Sequence, residues 1–215
     1  MTFLEPDQID ELFSVFSARN PAPTTELVST NTFTLLIAVL LSAQMTDKGV
    51  NRATAPLFKI ADTPEKMLAL GEEGVTNYIR SINYYQAKAK YVIGTCKLLI
   101  EKFGGKVPGT REELESLPGV GRKTASVILN VAFGQPTMPV DTHLLRIAPR
   151  MGLSSATTPI GVEQDLLRVI PQKWMNHAHH WLVLHGRYTC VARLPLCTTC
   201  PVSGICPRNG VGEFA

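Results

Sequence analysis

Leu117-Pro118-Gly119-Val120-Gly121-Arg122-Lys123 stands between two short helical patterns, Arg111–Leu117 and Gly121–Phe133, and its reading decides the fold. Two glycines separated by one apolar residue allow positive φ in a tight turn and let a second backbone come close. Val120, between them, is placed to tuck into the core and anchor the turn. The backbone N–H groups that open the second helix lack helical partners and point outward, ready for a phosphate. This is a helix-hairpin-helix arrangement. A plain αα-hairpin with a glycine turn would give the same pattern.

Lys123 falls in the first turn of the second helix. A cation there opposes the helix macrodipole, which favours the free amine, the nucleophilic form. A surface lysine that contacts phosphate is the competing reading.

Outward from the hairpin the periodicity is helical. Apolar residues recur at three- and four-residue spacing in Ile9–Phe16, Phe33–Leu41, Tyr91–Phe103, Ala125–Phe133 and Trp181–Tyr188, and no stretch alternates with period two. The fold class is therefore all-α. Helix starts are expected at Asn31, Asp47, Thr63-Pro64 and Thr110, the last with Glu113 as a capping box. Stops are expected at Gly71, Gly104-Gly105 and Gly134. The proline-containing stretches at 21–23 and 135–139 are the candidate hinges.

Val140-Asp141-Thr142-His143 opens another helical stretch, with Asp141 as its N-cap. A carboxylate held at a helix terminus can also stand beside a sugar carbon that develops positive charge, or steer proton transfer. Pro149 follows, and the helix is expected to bend or end near Ala148.

Cys190, Cys197, Cys200 and Cys206 form C-x6-C-x2-C-x5-C. Four thiolates close in sequence can satisfy a metal. Zinc sites commonly use two short knuckles, and only one C-x2-C is present here. Uneven loops suit a [4Fe–4S] cluster as well, so spacing leaves both open. Cys96, alone in an apolar helix, reads as a small core residue. His177, His179, His180 and His185 tempt as a metal cluster, but 179 shares no face with 177 and 180, and no H-E-x-x-H pattern is present.

The 215 residues, 45% hydrophobic and 18% charged, have an ordinary globular composition. Residues 1–100 hold 9 Lys+Arg against 10 Asp+Glu, and residues 101–215 hold 12 against 8. The basic excess, in the second half, hints at a polyanion there. The longest apolar stretch, Phe33–Leu41, falls far short of the ~20 residues that cross a bilayer. The acidic N-terminus carries no secretory signal, so a cytosolic, reducing compartment and no membrane partner are expected.

Leu40-Leu41-Ser42-Ala43-Gln44, LPGVGRKTA at 117–125, VDTH at 140–143 and HHWLVLHGRYTC at 179–190 with its three further cysteines together resemble the endonuclease III family of helix-hairpin-helix DNA glycosylases. The resemblance covers almost the whole chain. It implies a two-domain fold: a six-helix barrel over 25–135, and an iron–sulfur cluster domain from 1–24 and 136–215, with the active site in the cleft between them. It implies a bifunctional DNA glycosylase/AP lyase of base excision repair that removes oxidised pyrimidines. Lys123 would form a Schiff base with the sugar of a flipped nucleotide, assisted by Asp141, and β-elimination would cut the strand.

The family's cysteine spacing is the one found here, which implies a [4Fe–4S] cluster on Cys190, Cys197, Cys200 and Cys206. Gly119, Val120, Gly121 and Arg122 would grip phosphate, with Arg193 from the cysteine loop. Gln44 would fill the gap left by the flipped base. The expected partner is double-stranded DNA with a damaged base or abasic site, met by a monomer in the bacterial cytosol and nucleoid.

The chain departs from its relatives in three places. Asn83-Tyr84 stands where relatives usually carry glycine and a leucine wedge, and Tyr84 can stack in its place. Asn83 is a residue type that tolerates the positive φ glycine often supplies; a core role for Tyr84 is the alternative. Arg193-Leu194-Pro195-Leu196 has leucines where relatives often have basic residues, so weaker salt-dependent binding is expected through this loop. Pro149 is the third.

Two rival functions remain at the level of sequence. One is an adenine-specific mismatch glycosylase, typically without the catalytic lysine. The other is a non-catalytic iron–sulfur DNA-binding redox module.

Overall fold

Helix α2 (Thr32–Leu41) contains no charged residue, and Phe33 through Leu41 are all buried. A helix apolar on every side must be surrounded, and its neighbours build one unit of the fold around it. In the computed structural model, which describes residues 1–212, that unit spans Thr25–Gly134. It continues with α3 (Asp47–Ile60), α4 (Pro64–Ile79), α5 (Tyr85–Phe103), α6 (Arg111–Glu115) and α7 (Arg122–Phe133). Leu36, Leu41, Leu57, Ile79, Leu99 and Ile128 meet in its core, where each buried side chain of this size stabilises by about 1.5–3 kcal/mol. Among the described residues no strand is formed.

The second unit takes Met1–Thr24 and Gln135–Ala215. Its helices are α1 (Pro6–Arg19), α8 (Thr142–Arg150), α9 (Pro159–Val169) and α10 (Met175–Tyr188). Phe13, Leu12, Ile147, Leu166, Trp181 and Leu182 share its core. Both tryptophans also bond through their indoles: Trp174 donates to Asp10 at 2.8 Å and Trp181 to the Asn20 carbonyl at 2.8 Å. Residues far apart in the chain are clasped here. Asn209 Nδ2 donates to the Thr2 carbonyl at 2.6 Å, and Thr2 N–H returns the bond to Asn209 Oδ1 at 2.8 Å.

Two local expectations need correction. Helix α3 is capped by Thr46, whose hydroxyl accepts from Gly49 N–H, so Asp47 is its first residue rather than its cap. Thr110 caps α6, but the Glu113 carboxylate accepts from the Thr110 hydroxyl instead of closing a capping box on the backbone. Gly71, at φ 67° and ψ 175°, is non-helical and breaks Pro64–Ile79 into two helical segments at the expected stop. Pro149 lies in the last turn of α8, which ends at Arg150, close to Ala148 as expected. Proline loses only its own N–H, and the Met151 N–H still closes on the Ile147 carbonyl at 2.9 Å.

Candidate functional site

In the Thr25–Gly134 unit the hairpin runs from α6 to α7. Val120 is 4% exposed and its N–H donates to the Leu117 carbonyl at 3.1 Å, so it anchors the turn and has no backbone donor to spare for a phosphate. Gly119 has φ 75°, the left-handed region, whereas Gly121 is extended at φ −96° and ψ −179°. Only the first glycine is required by the backbone. Two side chains that the sequence did not flag brace the hairpin. Thr95 on α5 donates its hydroxyl to the Pro118 carbonyl at 2.9 Å, and Arg111 Nη1 donates to Ser126 Oγ at 2.9 Å. Arg111 reaches the Arg122 carbonyl too, at 3.4 Å. Helix α7 opens with no side-chain cap, and Arg122 and Lys123 are exposed in its first turn. An uncapped helix start flanked by cations attracts an anion.

Two exposed residues of the same unit take left-handed backbone: Gln44 at φ 55° and Tyr84 at φ 58°. Tyr84 is 68% exposed, which rules out a core role. The positive φ belongs to Tyr84, and Asn83 does not use the tolerance its residue type offers. Asn83 instead donates through Nδ2 to the Gln44 carbonyl at 2.8 Å. Buried Lys88 donates to the Leu41 carbonyl at 2.9 Å and the Ala43 carbonyl at 2.6 Å. Burial lowers its pKa.

In the other unit, Asp141 caps α8. Its Oδ1 accepts from His143 N–H at 2.8 Å and Leu144 N–H at 2.9 Å. The carboxylate is half-buried. Arg146, one turn on, donates to the Gly186 carbonyl at 2.7 Å and to the Cys190 carbonyl at 3.2 Å, which joins this helix to the start of the cysteine loop.

Cys190, Cys197, Cys200 and Cys206 line one small pocket, together with His185 and Arg150. Arg150 Nη1 lies 3.7 Å from Cys190 Sγ and donates to the Val191 carbonyl at 2.8 Å. Burial raises the Cys200 and Cys206 pKa values, and burial holds His185 down at about 4. Among the described residues no three His, Cys, Asp or Glu side chains are drawn together as a site for a metal ion. His177 is exposed, His179 is buried and His180 is half-buried. Cys96 is fully buried, as a core residue should be. Arg193 and Leu194 are exposed, Leu194 at 72% and φ 51°.

Residues 37–172 match the model of the HhH-GPD superfamily of base excision DNA repair proteins. Endonuclease III of Treponema pallidum is 56% identical over 98% of this chain and 100% of its own length. Endonuclease III of Escherichia coli K12 is 51% identical over 91% of this chain and 93% of its own length. Among solved structures, a trapped covalent intermediate of endonuclease III with DNA superposes with a TM-score of 0.88. It is 41% identical, and the match covers 96% of this chain and 97% of that one.

Proposed function

Because this chain belongs to the endonuclease III family, within the HhH-GPD superfamily of base excision DNA repair proteins, we propose that Lys123 is the nucleophile of its reaction and Asp141 the assisting carboxylate. The activity is that of a DNA glycosylase and AP lyase acting on oxidised pyrimidines. The observation that carries the residue assignment is the exposed amine at the uncapped start of α7. There the side chain stands clear of the core, where a sugar carbon can reach its nitrogen.

The chemistry follows from that amine. The damaged nucleotide is flipped from the stack. Lys123 Nζ attacks C1′ as the bond from C1′ to the base breaks, and opening of the sugar ring gives an imine. The imine acidifies C2′. Loss of that proton forms a C–C double bond and expels the 3′ phosphate, which cuts the strand. Asp141, its Oδ1 already engaged by two N–H groups, is held ready to stabilise positive charge at the sugar and to relay protons. Arg122, with the Gly119–Gly121 turn, grips the backbone phosphate, while Gln44 and Tyr84 enter the base stack. The substrate is duplex DNA, met in the bacterial cytosol.

The endonuclease III family binds a [4Fe–4S] cluster. The four cysteines of this chain fit one. They line one pocket, as the ligands of a single group must. When bound, the cluster supplies iron–thiolate bonds that cross-link the turns after α10. Arg150 and His185, against Cys190 and Cys200, are the polar groups beside those sulfurs.

Borohydride trapping on duplex DNA containing thymine glycol tests the assignment. Wild-type protein should yield a covalent adduct. Lys123→Ala should yield none while still binding the duplex. An adduct that survives in Lys123→Ala would overturn it.

A further inference from the structure

We propose that Asn83 is a positioning residue that locks Gln44 and Tyr84 in register, so that the two enter a duplex together. The inference rests on the reading of those two residues as DNA contacts. Each has left-handed backbone, which costs roughly 1–2 kcal/mol in a residue with a side chain and persists only where its surroundings hold it.

The structure shows what holds the first of them. The end of α2 and the turn after it present three carbonyls, from Leu41, Ala43 and Gln44, and all three accept from side chains in or just before the first turn of α5. Lys88 takes the first two, and Asn83 takes that of Gln44 itself. The Met45 N–H closes the turn on the Ser42 carbonyl at 3.0 Å. Asn83 is also the direct neighbour of Tyr84, so a single side chain links the backbone of one reading residue to that of the other. Lys88 fixes the base of the turn from the buried side. Asn83 fixes its tip from the exposed side.

The side chain required at 83 is a short donor. Glycine or alanine has none, and aspartate can only accept. Without the bond the Gln44 peptide is free to rotate, and part of the binding energy must then be spent on ordering it.

The test compares two reactions of the full-length protein. One is single-turnover excision of thymine glycol from a duplex, where both side chains must enter the stack. The other is cleavage of a single strand carrying an abasic site, where no opposite base is present for either to meet. Asn83→Gly and Asn83→Ala should slow the duplex reaction roughly five- to tenfold, the effect of one hydrogen bond, and leave the single-strand reaction unchanged. Adding Asn83→Gly to Gln44→Ala should cost little more than Gln44→Ala alone, because the two act as one unit.

Equal losses on both substrates would mark Asn83 as merely structural and overturn the inference. So would full duplex activity in both Asn83 variants while Gln44→Ala and Tyr84→Ala are impaired. If Gln44→Ala and Tyr84→Ala themselves keep full duplex activity, the reading of those residues as DNA contacts fails, and the inference with it.

Discussion

Gly119 packs against the side chain of Tyr91: a Cβ on Gly119 would come within 2.8 Å of two ring carbons. Backbone conformation and packing therefore both exclude a side chain at this position. At Gly121 a Cβ would meet nothing within 4 Å, and the backbone is one that any residue adopts. Gly119→Ala is expected to lower stability by about 1–3 kcal/mol in urea titrations and to weaken duplex binding with it. Gly121→Ala should stay within about 0.5 kcal/mol of the parent. Equal destabilisation by the two would contradict the geometry.

Asp141 serves as a cap and, in the proposed reaction, as a charge, and the two roles separate by substitution. Asparagine caps as well as aspartate, so Asp141→Asn should leave the melting temperature nearly unchanged while slowing single-turnover excision by about 100-fold or more. Asp141→Ala loses the cap too, and should cost about 1 kcal/mol of stability. A fully active Asp141→Asn protein would remove the carboxylate from the mechanism.

Leu194 is exposed in the cysteine loop beside Arg193, the loop's basic residue. Leu194→Arg offers a second phosphate contact. The slope of log Kd against log salt should then steepen by about 0.9, the value for one additional phosphate neutralised on duplex DNA. An unchanged slope would show that this loop does not meet the backbone.

Much of this site was readable from residue type and spacing. The hairpin, the Asp141 cap and the four-cysteine loop are each local, set by neighbours within a few positions. Local reading failed where two residue types compete for one role. Thr46 and Asp47 can both cap a helix, and only the chain direction decides between them. Asn83 tolerates positive φ, yet its amide is occupied elsewhere and Tyr84 takes the strained backbone instead. The bonds from Thr95 to Pro118, from Arg111 to Ser126 and from Asn83 to Gln44 span 23, 15 and 39 positions. Such bonds leave no periodic trace in the sequence, since a single polar residue on a helix reads equally well as a solvated surface group.

The clasp between Thr2 and Asn209 sets an order of events during synthesis. Residues 25–134 form a continuous run and can fold as they leave the ribosome, while the first 24 residues wait for partners not yet made. At about 5–20 residues per second the 207 positions between clasp partners amount to a delay of roughly 10–40 s. Throughout that interval Phe13, Phe16 and the apolar face of α1 have no core to enter, and a nascent chain is then most exposed to chaperones and to its neighbours on the same messenger.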